Sequence, residues 1–88
     1  MKHTLTCTAF LLHLAAPSAL AAEPVDGQKV FERRCASCHT VPKLAAEIRK
    51  DPAATREAKL LRYLERHYPP PKEDRAALVG WLLKQAGN

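Results

Sequence analysis

The chain has 88 residues, with 14 Lys and Arg against 9 Asp and Glu, which gives a net charge of +5 at neutral pH. This length allows one small domain and excludes a two-domain enzyme. Gly is only 3 and Pro 7, so neither a collagen-like nor a low-complexity chain is indicated.

The first 22 residues are typical of an export signal rather than of a folded segment. A basic start at residues 2–3 precedes an apolar run over residues 9–16, and small residues follow at 19–22. A membrane anchor is the alternative, but this run is shorter than the roughly 20 apolar residues that cross a bilayer. The pattern therefore predicts a cleaved signal peptide over residues 1–22.

Cleavage there leaves a domain over residues 23–88, with a net charge of +4 because the signal contains one lysine and no acidic residue. The domain keeps two cysteines, Cys35 and Cys38, two histidines, His39 and His67, and no methionine. A domain of this size is marginally stable on apolar burial alone. It usually needs a disulfide, a metal or another cross-link.

The run Cys35-Ala36-Ser37-Cys38-His39 matches the C-x-x-C-H pattern of c-type haem attachment. In this chemistry two thiols add to the two vinyl groups of haem, and one turn of chain spans the distance between those vinyls. The next residue lies under the iron and supplies an axial nitrogen. The pattern predicts Cys35 and Cys38 as the covalent thioether residues and His39 as the proximal axial ligand of one haem c. The haem would also supply the apolar core that so short a chain lacks.

Three other chemistries compete for these cysteines. A thioredoxin-like redox pair needs a preceding strand and a parallel sheet, and no alternating strand pattern occurs in the sequence. A zinc site normally places its histidines together and well downstream of the cysteine pair, so adjacent Cys38 and His39 are awkward for one tetrahedral ion. A small disulfide would leave His39 unexplained. Haem attachment is therefore the favoured interpretation.

The motif belongs to a longer pattern. Gly27 and Phe31 precede Cys35 at four-residue steps, and Trp81 lies near the C-terminus. Over residues 25–88 the chain resembles the class I (monohaem) cytochrome c family, in which a first helix with a glycine and an aromatic residue crosses a last helix with its own aromatic residue. The resemblance implies an all-α fold, a small cytochrome c-like helical domain wrapped around one covalently bound haem.

Helical periodicity and capping signals predict helices throughout the exported domain and no strands. We expect a first helix over about 27–36 capped by Asp26, a second opened by Pro42, a third from Asp51-Pro52 to about His67, and a last one from about Lys72. Leu60, Leu64 and His67 fall at i, i+4 and i+7 of the third helix, which places them on one stripe. Three prolines then end that helix. The last helix is expected to bury Ala77, Leu78, Trp81 and Leu82.

The second axial ligand is the open question of the sequence. The family usually supplies a methionine from the segment before the last helix, but the corresponding stretch here is His67-Tyr68 followed by prolines. This register favours His67 as the candidate distal axial ligand of the haem iron. The alternative is a solvated histidine at the end of a helix, stabilised by the helix dipole. The iron would then be five-coordinate.

The expected function is one-electron transfer by an exported, periplasmic monohaem c-type cytochrome with low-spin His/His iron. Two imidazoles favour a lower reduction potential than a histidine–methionine pair. No catalytic residue is expected, so the protein is not predicted to be an enzyme. Redox proteins, acidic ones in particular, are the expected partners, and the small size suits a subunit of a larger redox complex. Neither nucleic acid nor stable membrane insertion after cleavage is expected. The alternative is a five-coordinate or weakly six-coordinate haem protein that binds NO, CO or peroxide.

Overall fold

The computed structural model describes residues 9, 11–12 and 23–87, which form four α-helices and no strand. The helices are α1 (Gly27–Arg34), α2 (Val41–Arg49), α3 (Ala53–Leu64) and α4 (Lys72–Gln85). The expected all-α class is confirmed for this part of the chain. The predicted signal peptide over 1–22 lies almost entirely outside the described residues. None of the described helices is long and apolar enough to span a bilayer.

The start of α1 is fixed by a side-chain cap. The Asp26 carboxylate accepts hydrogen bonds from the backbone N–H groups of Gln28 at 2.9 Å and Lys29 at 3.3 Å, which satisfies two of the donors that a helix start leaves unpaired. The predicted cap is therefore confirmed. The helix ends at Arg34, two residues earlier than expected.

The crossing of α1 and α4 depends on a glycine. Gly27 is buried, and a Cβ added to it would lie against the carbonyl oxygen of Ala77 and 2.6 Å from the Cβ of Trp81. Only a residue without a side chain allows the two backbones to approach so closely. One turn further along α1, the ring of Phe31 packs on Trp81 with a centroid distance of 5.3 Å. The first and last helices therefore touch through the residues that the sequence pattern singles out.

The core is built around α4, which packs against each of the other three helices. Leu78 and Leu82 are buried as predicted, whereas Ala77 and Trp81 are half-buried. Val79 lies outside the predicted stripe and is nevertheless buried, because α4 is covered by neighbours on more than one side. The other buried apolar residues are Val30, Phe31, Ala45, Ile48, Leu64 and Ala86.

The prediction for α3 is wrong at both ends. Its N-terminus has no side-chain cap, and the Asp51 carboxylate instead accepts a hydrogen bond from Lys59 Nζ at 2.8 Å. Its C-terminus lies at Leu64, so His67 is three residues beyond the helix rather than in its last turn. The chain turns away there because Tyr68 has a positive φ of 45° and the prolines at 69–71 cannot continue a helix.

Candidate functional site

The C-x-x-C-H motif forms a single turn directly after α1. The backbone N–H groups of Cys38 and His39 both donate to the carbonyl oxygen of Cys35, at 3.1 and 2.9 Å. Cys35 is half-buried and packs against the core, His39 is half-buried, and Cys38 is exposed. The two thiols are therefore presented by one turn of chain, as covalent attachment to two vinyl groups requires.

A cavity of about 590 Å³ lies next to this turn. Such a volume is within the range of about 300–1,000 Å³ that is usual for small-molecule and cofactor sites. The cavity is lined by Cys35, His39 and His67, whereas Cys38 is not among its lining residues. Its apolar lining comes from α2, α3 and α4 and consists of Leu44, Ile48, Leu60, Leu64, Leu78 and Leu82. The site thus combines an apolar interior with one thiol and two imidazoles.

The two histidines, far apart in sequence, lie close together at this cavity. The ring centroids of His39 and His67 are 6.0 Å apart and their planes are inclined by 62°. An imidazole nitrogen binds a first-row transition metal at about 2.0–2.1 Å, so two imidazoles on opposite sides of one ion have centroids roughly 6 Å apart. The spacing therefore fits two axial ligands of a single iron.

Two tyrosines pack around His67. The Tyr63 ring lies 4.8 Å from the imidazole centroid at an inclination of 31°, and the Tyr68 ring lies 5.1 Å away at 84°. Both tyrosines are largely exposed, at 56% and 80%, so their position is not explained by core burial. Sequence analysis does not single out Tyr63, although its location four residues before a candidate ligand is a signal that indicates such a contact.

The environment of the cysteines disfavours two of the competing chemistries. Burial raises the pKa of the Cys35 thiol, and the positive charge of Arg34 offsets only part of that shift. A thioredoxin-like cysteine instead needs a lowered pKa and a sheet, and the described residues contain no sheet. A structural zinc ion needs four ligands, but no group of three or more His, Cys, Asp or Glu among the described residues is placed to hold a metal ion. The donor set fits haem better, since the porphyrin supplies the equatorial ligands and the protein only the axial ones.

Charged side chains of α2, α3 and the segment between them border the cavity. Four are positive and two negative, namely Lys43, Lys50, Arg56 and Lys59 against Glu47 and Asp51. The ion pairs Lys50–Glu47 and Lys59–Asp51, both at 2.8 Å, are substantially exposed and contribute little stability. The excess of positive charge suits an anionic group such as the carboxylates at one edge of haem.

Arg56 joins the end of α2 to the start of α3. Its Nε donates to the carbonyl oxygen of Asp51 at 2.8 Å, and its Nη2 donates to the carbonyl oxygen of Arg49 at 3.2 Å. These bonds satisfy carbonyl groups that a helix end leaves without partners. They also connect the two helices whose side chains line the cavity.

Comparison with known proteins finds no family model, no curated protein and no solved structure that matches this chain. The description of this protein therefore rests on its own fold and site. The described residues form a small all-α domain with an apolar cavity, a pair of cysteines on one turn and two facing histidines. The membership in the class I cytochrome c family stays a prediction from the motif.

Proposed function

We propose that this chain is an exported monohaem c-type cytochrome that carries single electrons between redox partners. The observation that carries the proposal is the His39–His67 pair, at 6.0 Å, in an apolar cavity beside Cys35. Haem iron supplies a one-electron change between its ferric and ferrous states when bound. In the proposal Cys35 and Cys38 hold the haem covalently, His39 is the proximal ligand and His67 the distal ligand.

The surrounding residues suit electron transfer rather than substrate turnover. The leucine and isoleucine side chains give the cavity an apolar interior, and burial of the haem in apolar surroundings is one of the ways in which a protein tunes the haem potential. The two imidazoles already face each other, so a change of oxidation state demands little movement of either ligand. With both axial positions filled by histidine, the potential is expected to be lower than that of a histidine–methionine site.

The proposed location and partners follow from sequence and charge. The signal-like segment at 1–22 and the c-type motif together support export to the periplasm, since bacterial c-type haem attachment takes place beyond the inner membrane. The net charge of +4 on the exported domain favours encounters with acidic redox proteins. A domain of this size is also suited to act as a subunit of a larger redox complex.

The haem itself is tested by expressing the full chain with a working haem-maturation system. We expect a coloured protein whose mass exceeds that of the exported peptide by one haem. Its ferric and ferrous spectra should be low-spin and should lack a sulfur-to-iron charge-transfer band. A colourless product with the mass of the bare peptide contradicts the proposal.

The role of His67 is tested by His67→Ala, with Leu60→Ala as a matched control. Both substitutions enlarge the cavity, but only the first removes a nitrogen ligand. We expect His67→Ala to become high-spin and to bind CO rapidly in the ferrous state, while Leu60→Ala stays low-spin. If the two variants have the same low-spin spectrum as the wild type, His67 is not the ligand.

A second candidate function, binding of a small gas or peroxide at the distal face, is favoured by the backbone next to His67. Tyr68 has a φ of 45°, which is strained for a residue with a bulky side chain. Relaxation of that strain would favour release of His67 and a vacant iron position. Rapid CO binding by the ferrous wild-type protein supports this function, whereas its absence supports the electron carrier.

A further inference from the structure

The segment between α3 and α4, residues 65–71, carries the candidate distal ligand and is called here the α3–α4 loop. Its backbone is held in an unfavourable conformation at Tyr68, whose φ is 45°. Tyr68 also precedes Pro69, and the residue before a proline is normally restricted to extended conformations. A conformation of this kind persists only where surrounding contacts over-determine it.

Those contacts converge on one arginine of α4. Arg75 lies in the first turn of α4, and its side chain is only 22% exposed. Its Nη2 donates to the carbonyl oxygen of Pro70 at 3.3 Å, and its Nη1 lies 4.0 Å from the Oε1 of Glu65. Glu65 and Pro70 lie near the two ends of the loop, so a single guanidinium group connects both ends to α4. The planar, multidentate guanidinium is suited to such a two-point contact, which a lysine cannot reproduce.

One nitrogen of the Arg75 side chain pays a cost for this position. Arg75 Nε is buried and has no hydrogen-bond partner among the described residues. A buried donor without a partner costs free energy, and such groups call for an explanation in terms of strain or function. Fixing the loop is a function that fits the position of this arginine.

The loop in turn determines the orientation of the imidazole. His67 packs between Tyr63 at the end of α3 and Tyr68 in the loop, with His39 6.0 Å away across the cavity. A shift of Tyr68 toward a relaxed backbone would move one of the two rings that flank the imidazole. Arg75 therefore holds Glu65 and Pro70 of the same seven-residue loop in which Tyr68 packs on His67.

We infer that Arg75 is a positioning residue for His67, which keeps the imidazole in the place of the distal ligand by fixing the α3–α4 loop. The inference rests on the proposed function, because it concerns how firmly His67 is held on the iron. It assigns to Arg75 no contact with haem and no part in the electron transfer itself. Its expected effect is on competition between His67 and an external ligand.

The test compares Arg75→Met, Arg75→Lys and the control Arg33→Met in the haem-loaded protein. Methionine keeps an unbranched side chain but has no donor, and lysine keeps the charge with a single donor group. Arg33 is exposed on α1 and does not line the cavity. The probes are imidazole, titrated into the ferric protein, and CO, mixed with the ferrous protein. Thermal unfolding is measured alongside, so that loss of stability is separated from loss of ligand positioning.

We expect Arg75→Met to bind imidazole about tenfold more tightly than the wild type, because release of the loop raises the population with His67 off the iron. CO association should accelerate by a similar factor, Arg75→Lys should be intermediate, and Arg33→Met should equal the wild type. If Arg75→Met does not fold, Arg75→Lys carries the test, and a wild-type imidazole affinity in that variant contradicts the inference.

Failure of this inference is distinguishable from failure of the proposed function. If His67→Ala changes the spectrum but Arg75→Met lowers only the unfolding temperature and leaves imidazole and CO binding unchanged, Arg75 is merely structural. If His67→Ala leaves the spectrum unchanged, His67 is not a ligand, and the role of Arg75 is contradicted together with it.

Discussion

The crossing of α1 and α4 provides the sharpest test of the packing, through the substitution Gly27→Ala. The new Cβ would lie against the carbonyl oxygen of Ala77, 2.8 Å from the carbonyl carbon of that residue and 2.6 Å from Trp81 Cβ. Two of these three atoms belong to the backbone of α4, which cannot rotate out of the way as a side chain can. The helices must therefore separate, and the contact between Phe31 and Trp81 is disturbed with them.

The size of the effect follows from two opposing contributions. Forcing one extra methyl group into a packed interface typically costs about 1–3 kcal/mol. Alanine is a better helix former than glycine by up to about 1 kcal/mol, but Gly27 is the first residue of α1, where this gain is least effective. The net expectation is a loss of about 1–3 kcal/mol, and each kcal/mol lowers the unfolding temperature of a domain this small by about 4–8 °C.

Gly80→Ala is the matched control for this substitution. Gly80 lies within α4, is exposed, and would present its new Cβ to open space, since no heavy atom beyond its chain neighbours and the nearby backbone of α4 lies within 4 Å. The same chemical change should therefore stabilise the protein by up to about 1 kcal/mol. Thermal unfolding of the two haem-loaded variants, followed by far-UV circular dichroism, measures the difference. If Gly27→Ala is as stable as Gly80→Ala, α1 and α4 do not approach each other as closely at Gly27 as described.

Two further predictions concern the helix cap and the covalent cross-link. Asp26→Ala should lower the free energy of unfolding by about 1 kcal/mol, because it removes the cap of α1. Asp26→Asn should retain most of the wild-type stability, because an asparagine side chain can also accept from the first N–H groups. Equal losses of stability in the two variants contradict the capping role. The exported domain with Cys35→Ser and Cys38→Ser, purified without haem, should show no cooperative thermal transition, because its core is too small by itself. A sharp transition in that material means that the domain folds without the cross-link.

Residues whose role depends on local spacing could be predicted from the sequence. Asp26 caps α1 because a carboxylate one residue before a helix reaches the first free N–H groups. Gly27 and Trp81 meet because a residue without a side chain on one helix accommodates a large one on another. The cysteine turn follows from its motif. Each of these features is determined within a few residues or by one packing contact.

Residues whose role depends on contacts formed only in the folded chain could not be predicted in the same way. Asp51 does not cap α3, because Pro52 occupies the cap position and the Asp51 carboxylate pairs with Lys59 further along the same helix. The stripe through Leu64 suggests that α3 continues to His67, but the helix ends at Leu64 and the chain reverses direction beyond it, with a positive φ at Tyr68. The contact of Arg75 with the α3–α4 loop has no spacing signature at all, since its hydrogen-bond acceptor is a backbone carbonyl group.

The cavity itself argues for an occupant that is apolar in the middle and anionic at one edge. The cavity of about 590 Å³ has leucine and isoleucine side chains in its interior and charged side chains at its border, and covering its apolar surface removes that surface from water, which is favourable. Arg56 links the end of α2 to the start of α3 through its hydrogen bonds to the carbonyl groups of Arg49 and Asp51. A ligand with an extended apolar body fills such a space, and its carboxylates would lie toward the positive rim. Haem attached at Cys35 has both properties, which is why the proposal rests on the cavity and the histidine pair together rather than on the motif alone.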